Sequence, residues 1–242
     1  MSQITLYDIP TREPKKAWSL NPWKPRMILN YKAIPYTTQW IEYPDLAHTL
    51  SALSIPPHDP TTPGYYTAYT SPALRHADGK TTMDSWEIAQ ELEARYPEPS
   101  LRLEEPIVGR IRDVIVGLRE PLNAWWMPKV PERVLGKESA EYFERTREVR
   151  LGMSLGELGE KADEECWVKA KGPALEVAEL LKENGGPFFL GETVVSYADF
   201  IFVSFLHFLK TVDANVYERY LEFDPAFGRI YEASKQWLER DD

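Results

Sequence analysis

Residues 69–92 read YTSPALRHADGKTTMDSWEIAQEL, and this stretch decides the fold of the N-terminal part of the chain. Two short extended segments, residues 72–74 and 81–83, flank a turn at Asp78 and Gly79. Short apolar runs on either side of such turn residues are typical of a β-hairpin. The stretch therefore predicts two adjacent antiparallel strands.

The hairpin leads into a helix whose start is predicted at Asp84 and Ser85, where an N-cap belongs. The unpaired N–H groups and positive dipole end of a helix start can hold a carboxylate. Pro72 enters the first strand directly after Ser71, and a cis bond there would leave the backbone of Ser71 free to pair with an extended peptide. These features together predict a docking site for a small anionic peptide, although an ordinary hairpin with an ordinary capped helix explains the same spacing.

Composition and charge exclude several function classes. The chain has 242 residues and a formal net charge of −10, which argues against nucleic acid as a partner. The single cysteine, Cys166, allows no disulfide within the chain and favours a reducing compartment. No signal peptide, membrane-spanning run or metal-ligand spacing is visible in the sequence. We therefore expect a cytoplasmic protein with no metal and no membrane partner.

The order of the predicted elements divides the chain into two domains. Residues 1–97 follow a β-α-β-α-β-β-α order, which predicts a mixed four-stranded sheet covered by helices. Residues 98–106 are polar and contain proline, as is typical of a linker. Residues 107–242 show helical patterns only. The expected fold class is α/β followed by an all-α bundle.

Residues 69–92 resemble the second half of the thioredoxin-like domain of glutathione transferases. In that family a proline, normally cis, pairs with the cysteinyl backbone of glutathione, and an acidic residue followed by serine takes its γ-glutamyl end. The resemblance implies that Ser71, Pro72, Asp84 and Ser85 bind glutathione. Ser71 departs from the family, which more often has valine before the proline.

The C-terminal part resembles the all-helical domain of the same family. Gly191 is followed by Ser196, Ala198 and Asp199 in the pattern of a box that serves that family as a folding element. The resemblance covers nearly the whole chain. It implies glutathione as co-substrate, no metal cofactor, a homodimer, and a cytoplasmic enzyme of detoxification.

The chemistry requires that the thiol of glutathione be ionised, and a hydroxyl near a helix N-terminus favours the thiolate. Candidates are Ser19 and Asn21 at the start of the first helix and Tyr7 at the end of the first strand. Asn21 is predicted as the N-cap, with Pro22 at the first helical position. A purely capping role for Ser19 and a core role for Tyr7 remain alternatives.

Residues 17–26, AWSLNPWKPR, resemble a fungus-specific class of glutathione transferases related to bacterial β-etherases. That class typically has W-S-P-N-T-W-K-T-R here, and its serine is the proposed thiol activator. The resemblance implies Ser19 as the catalytic residue and Asn21 as a supporting donor. Leu20 and Pro22 replace the proline and the threonine of the class, so the activating network lacks one hydroxyl.

The electrophile is expected to bind between the two domains. Trp125 and Trp126 end the first predicted helix of the second domain and could line an apolar pocket, or form part of the core between helices. Lys24 and Arg26 are candidates for the glycyl carboxylate.

The expected activity is conjugation of glutathione to apolar or aromatic electrophiles, with cleavage of an aryl ether as one form of that reaction. Two alternatives use the same fold. A ligandin-type binding protein would carry apolar aromatic metabolites with little turnover, and a structural member would keep only a vestigial glutathione groove.

Overall fold

The computed structural model of the chain describes residues 3–62 and 64–242. Its N-terminal part contains the strands β1 (Ile4–Asp8), β2 (Tyr36–Trp40), β3 (Ala73–Arg75) and β4 (Thr81–Met83) and the helices α1 (Leu20–Tyr31), α2 (Leu46–Ala52) and α3 (Ser85–Arg95). The rest is helical: α4 (Pro106–Arg119), α5 (Asn123–Trp126), α6 (Lys129–Arg133), α7 (Lys137–Leu151), α8 (Leu155–Gly159), α9 (Glu164–Lys182), α10 (Tyr197–Val212), α11 (Ala214–Leu221) and α12 (Pro225–Ser234). None of the helices in the described residues has the length and apolar character needed to cross a membrane.

The strands form one mixed sheet in the order β2-β1-β3-β4. β1 runs parallel to β2 and antiparallel to β3, and β3 pairs antiparallel with β4. Leu6 lies opposite Leu74 in this register, and both side chains are fully buried beneath the helices. The predicted hairpin and the mixed four-stranded sheet of a thioredoxin-like domain are confirmed.

The first helix begins earlier than the sequence predicts. Ser19, not Asn21, is the N-cap, because its backbone is extended (φ −82°, ψ 140°) and its carbonyl accepts from the Trp23 amide at 3.2 Å. Pro22 is therefore the third helical residue rather than the first. Pro25 lies further inside the helix, where it removes one helical hydrogen bond.

The first helix of the second domain is also shorter than predicted. α4 ends at Arg119, and a 3₁₀ turn over Glu120–Leu122 separates it from α5. Pro121 lies in this turn and cannot donate the amide hydrogen that a continuous helix would need. Trp125 and Trp126 consequently lie on a separate short helix.

The buried helix α10 lies at the centre of the helical domain. Ser196 and Asp199 form the predicted capping box: Asp199 Oδ2 accepts from the Ser196 amide (2.7 Å) and hydroxyl (3.0 Å), and its other oxygen accepts from the Phe189 amide at 2.9 Å. Burial raises the pKa of Asp199 to about 6, although these donors favour the charged form. α10 packs against α1 of the N-terminal domain and against α4 and α11 of the helical domain. The capping box therefore stabilises the start of a helix that contacts both domains.

Specific hydrogen bonds join the two domains beside the predicted glutathione residues. The buried Tyr197 hydroxyl on α10 donates to the Ser85 carbonyl at 3.1 Å. The Tyr197 amide donates to the Leu101 carbonyl in the connection between α3 and α4. α10 therefore holds the start of α3 in place. The domain boundaries at residues 97 and 107 stay a prediction.

Candidate active site

Ser19 lies at the start of α1 with its hydroxyl available. The residue is half-buried, and its side chain forms no capping bond to the helix. Among the residues that the structure describes, none accepts or donates a hydrogen bond at this hydroxyl. A hydroxyl at a helix N-terminus that is not used for capping can donate to an external anion.

Asn21 lies two residues further along α1 and is exposed. Its Oδ1 accepts a hydrogen bond from Lys24 Nζ at 3.0 Å. This contact occupies the oxygen and leaves the amide N–H groups as the free end of the side chain. The helix start thus presents a hydroxyl and an amide, and the catalytic roles of Ser19 and Asn21 stay a prediction.

The residues predicted to bind the peptide backbone lie close together. Ser71 and Pro72 are joined by a cis peptide bond, and the Pro72 carbonyl accepts from the Asp84 amide at 3.2 Å. Ser71 Oγ is buried, and no described residue forms a hydrogen bond with it. A buried hydroxyl without a partner is costly, so Ser71 offers a second polar group beside Pro72 that a ligand can satisfy.

Asp84 adopts an unusual backbone conformation, with φ 81° and ψ 135°. For a residue with a Cβ such a conformation costs on the order of 1–3 kcal/mol and recurs at functional sites. The Asp84 carboxylate accepts from the Trp86 amide at 2.8 Å and so caps α3. Ser85, the first residue of α3, is buried. Pro72, Asp84 and Ser85 are therefore adjacent at the start of α3.

Lys24 connects the two helix starts electrostatically. Only 9% of the residue is exposed, and burial lowers the pKa of its ammonium group to about 8. Asp84 raises this pKa, whereas Arg119 and Arg112 lower it. Lys24 is therefore a partly desolvated cation beside Asp84, suited to an anionic ligand. Its role towards the glycyl carboxylate stays a prediction.

The prediction for Arg26 is wrong. Its side chain is fully buried and forms an ion pair with the equally buried Asp8 at 3.1 Å. Its other guanidinium nitrogen donates to Thr38 Oγ1 at 3.1 Å and to the Asp242 carbonyl at 2.6 Å. Arg26 consequently has a structural role and is not accessible to a ligand.

Trp126 and Trp125 lie in different surroundings. The ring of Trp126 is buried and meets Phe208 at 4.9 Å, and Phe208 in turn lies 6.3 Å from Trp18, the residue before Ser19. Trp125 instead packs on Trp167 at 5.7 Å, and its indole donates to a carbonyl of the helical domain. Of the two, Trp126 belongs to the apolar layer behind the start of α1.

Tyr7 is a buried residue of β1 and lies opposite Ala73, the neighbour of Pro72. Its position supports a core role and also keeps it near the predicted sulfur site. A contact between its phenol and the sulfur stays a prediction.

A group of cations at this site is not predicted by the sequence analysis. Arg112 and Arg119 are seven residues apart on α4 and both act on the pKa of Lys24. The guanidinium group of Arg112 also lies 3.8 Å from the centre of the Trp86 ring, directly after the α3 cap. Residues seven apart lie on the same face of a helix, so this spacing is the feature of the sequence that could have predicted the pair. Within the described residues no cluster of His, Cys, Asp or Glu could hold a metal ion.

The comparisons with known proteins agree with this architecture. Residues 18–95 match the model of the glutathione S-transferase N-terminal domain, and residues 115–237 match that of the C-terminal domain. The glutathione S-transferase-like protein ustS of Aspergillus flavus is 34% identical over 98% of this chain and 92% of its own length. The chain therefore belongs to the glutathione S-transferase family.

Solved structures support the same assignment. A glutathione S-transferase of Ceriporiopsis subvermispora, in complex with glutathione, has a TM-score of 0.86 at 29% identity and covers 99% of both chains. A glutathione transferase of Phanerochaete chrysosporium has a TM-score of 0.87 at 26% identity, again over 99% of both chains. The β-etherase LigF of a Sphingobium strain, at 18% identity and a TM-score of 0.62 over 99% of both chains, is similar in fold.

Proposed function

We propose that this protein is a serine-type glutathione transferase that joins the thiolate of glutathione to apolar or aromatic electrophiles. The observation that carries the proposal is the unused Ser19 hydroxyl at the start of α1, in a chain that also positions Pro72, Asp84 and Ser85 together. The related structure from Ceriporiopsis subvermispora, which contains glutathione, supports glutathione as the co-substrate.

In the proposed mechanism, the γ-glutamyl carboxylate rests on the amide groups at the start of α3, and the cysteinyl backbone pairs with Ser71. The sulfur then lies near Ser19 Oγ, which donates a hydrogen bond to the thiolate. A hydrogen bond to a charged group contributes roughly 1.5–3 kcal/mol, which lowers the thiol pKa by about one to two units. The dipole of α1 and the charge of Lys24 act in the same direction.

The thiolate attacks the electrophilic carbon, a carbon–sulfur bond forms, and the leaving group departs with its electron pair. The buried aromatic rings of Trp126, Phe208 and Trp18 form an apolar layer behind Ser19, the proposed sulfur site. A halide or an aryl oxide could leave in this way. Aryl-ether cleavage is proposed from the resemblance of residues 17–26 to the class related to β-etherases, and turnover of a β-aryl ether with glutathione tests it.

The decisive experiment measures the thiol pKa of bound glutathione from its ultraviolet thiolate absorbance. We expect Ser19→Ala to raise that pKa by about one to two units and to lower turnover of a neutral aryl halide at neutral pH. Ser51→Ala, at an exposed serine of α2, is the matched control and should change neither quantity. An unchanged pKa in Ser19→Ala together with a raised pKa in Tyr7→Phe would assign the donor to Tyr7 instead.

The same measurements address the proposed alternative of a ligandin-type binding protein. Binding of a hydrophobic dye with no consumption of thiol in the presence of an aryl halide would favour that alternative. The departure at Pro22, which removes the threonine hydroxyl of the related class, is the feature in its favour.

We also propose a homodimer and a cytoplasmic location with a role in detoxification. The homodimer rests on the resemblance to the family, and the location rests on the unpaired Cys166. Light scattering that gives a monomer mass at micromolar concentration would contradict the dimer. Fractionation of the producing cells tests the location.

A further inference from the structure

Five basic residues near the junction of the two domains form no ion pair in the described part of the chain, although the full sequence has 38 acidic and 28 basic residues. Within residues 3–62 and 64–242, none of their charged nitrogens lies within 4.0 Å of a carboxylate oxygen. We call this group the cationic row; it consists of Lys24, Arg112, Arg119, Arg147 and Arg150.

The members of the row are close enough to influence one another. Arg112 and Arg119 both lower the pKa of Lys24. Burial is the largest cause that lowers the pKa of Arg119; the neighbouring Glu120 opposes this shift, and Arg150 and Arg147, on α7, add to it. The row therefore extends from the start of α1, across the end of α4, to α7.

Aromatic rings line the α7 end of the row. The guanidinium carbon of Arg147 lies 4.2 Å from the centre of the Phe143 ring and 5.6 Å from that of Tyr43. The guanidinium carbon of Arg150 lies 4.5 Å from the centre of the Tyr66 ring, which is exposed. Such stacking fixes the orientation of a guanidinium group but does not neutralise its charge.

Arg119 is a half-buried member of the row whose hydrogen bonding is incomplete. Its side chain is partly buried, and its Nε is fully buried without an acceptor in the described part of the chain. Leaving a charged donor buried and unpaired is more costly than leaving a neutral one, and three neighbouring cations add repulsion. A carboxylate can accept two parallel hydrogen bonds from one guanidinium group, and at the accessible nitrogens of Arg119 it would offset the repulsion from the neighbouring cations.

Arg119 also lies on the segment that carries the apolar layer of the site. The chain passes from Arg119 through the 3₁₀ turn to Trp126, whose ring meets Phe208. Asp84, predicted to bind the γ-glutamyl end of glutathione, lies beside Lys24 at the other end of the row. The Tyr66 ring beside Arg150 is 53% exposed, so a ligand whose ring packs on it can direct an acidic group towards Arg119.

We propose that Arg119, assisted by Arg147 and Arg150, binds a carboxylate of the electrophile, so that the second substrate is an aromatic carboxylic acid. This inference deepens the proposed transferase function and rests on it, because the bound acid is a substrate only if the protein is a transferase. The binding site itself does not depend on turnover. Arg119 is assigned a role in binding and orienting the acceptor, not in activating the thiol.

The test compares 2-naphthoate with its neutral methyl ester by calorimetric titration of the full chain saturated with S-methylglutathione, which cannot react. We expect naphthoate to bind the unmodified protein at least about ten-fold more tightly than the ester. Arg119→Met should weaken naphthoate binding by about 10- to 100-fold and leave the ester unchanged. Arg119→Lys should restore part of the loss, and Arg229→Met, at an exposed arginine of α12, should have no effect.

The outcomes separate the possible sources of the carboxylate. If Arg119→Met weakens the binding of glutathione and leaves the binding of naphthoate unchanged, the row holds the glycyl carboxylate of glutathione and the inference is overturned. Equal binding of naphthoate and ester to the unmodified protein also overturns it. Failure to conjugate a neutral aryl halide would refute the transferase function alone, because the titration with naphthoate requires no reaction.

Discussion

Replacement of the buried arginine of α1 by methionine, Arg26→Met, is expected to destabilise the protein severely. Arg26 and Asp8 form an ion pair in which both side chains have 0% exposure. Among the residues that the structure describes, the only other hydrogen bond to the Asp8 carboxylate comes from the adjacent Ile9 amide at 2.7 Å. Removal of the guanidinium group therefore leaves the buried Asp8 carboxylate without an oppositely charged partner and with a single hydrogen-bond donor.

The magnitude follows from the buried contacts. Breaking a buried ion pair from one side costs about 3–5 kcal/mol, because the remaining charge is desolvated without compensation. The variant also loses the bonds to Thr38 and to the Asp242 carbonyl, which fix β2 and the last residues of the chain on α1. In a protein of this size, 1 kcal/mol corresponds to about 2–4 °C, so we expect the midpoint of thermal unfolding to fall by roughly 10 °C.

Chemical denaturation at two pH values tests the cause of this loss. Burial already raises the pKa of Asp8, and Arg26 opposes that rise. Without Arg26 the pKa of Asp8 rises further, so the folded variant binds a proton more readily than its unfolded state. Its stability relative to the unmodified protein should therefore improve as the pH falls from 7 towards 5.

A double variant and an exposed pair provide the controls. The double variant Asp8→Asn with Arg26→Met removes both charges and should recover a large part of the loss. Lys16→Met breaks an ion pair whose side chains are 52% and 31% exposed, and should cost less than about 1 kcal/mol. A loss below about 1 kcal/mol for Arg26→Met, or strict additivity in the double variant, would refute the assignment of Arg26 as a buried structural charge.

Two further predictions concern the helical domain. Burial lowers the pKa of His207, whose Nδ1 lies 2.8 Å from the Tyr231 hydroxyl, from 6.5 to about 4. Between pH 6.5 and 4 the unfolded chain binds more protons at this histidine than the folded protein does, so its contribution lowers the free energy of unfolding by up to about 3 kcal/mol over that range. Chemical denaturation of His207→Gln at several pH values should no longer show this decrease. The exposed control His48→Gln should still show it. Trp126→Leu should weaken binding of an apolar fluorescent dye several-fold and Trp125→Leu should not, and equal effects in the two titrations would contradict the separate surroundings of the rings.

Local chemistry accounts for the parts of the fold that the sequence predicts. The turn at Asp78 and Gly79 predicts the hairpin, because glycine supplies the positive φ of 89° that the turn adopts. The Ser196 and Asp199 box is predicted because its bonds join residues only three apart. Such signals depend on neighbouring residues and are visible without any tertiary structure.

The remaining features depend on contacts between distant residues. Ser19 and Asn21 are both good N-cap residues, and burial of Trp18 and Leu20 in the structure accompanies the choice of Ser19. Trp125 and Trp126 are adjacent on a helix and point about 100° apart, so only the position of Phe208 decides which of them packs behind the start of α1.

The cationic row shows why charge must be considered locally. A net charge of −10 predicts repulsion of anions, yet the junction of the domains contains cations that form no ion pair in the described part of the chain. Desolvation of Lys24 and Arg119 costs folding free energy that no described ion pair returns. Anionic ligands that bind only the folded protein would return it, in proportion to their affinity. We therefore explain the arrangement by ligand binding, in a protein whose net charge otherwise repels anions.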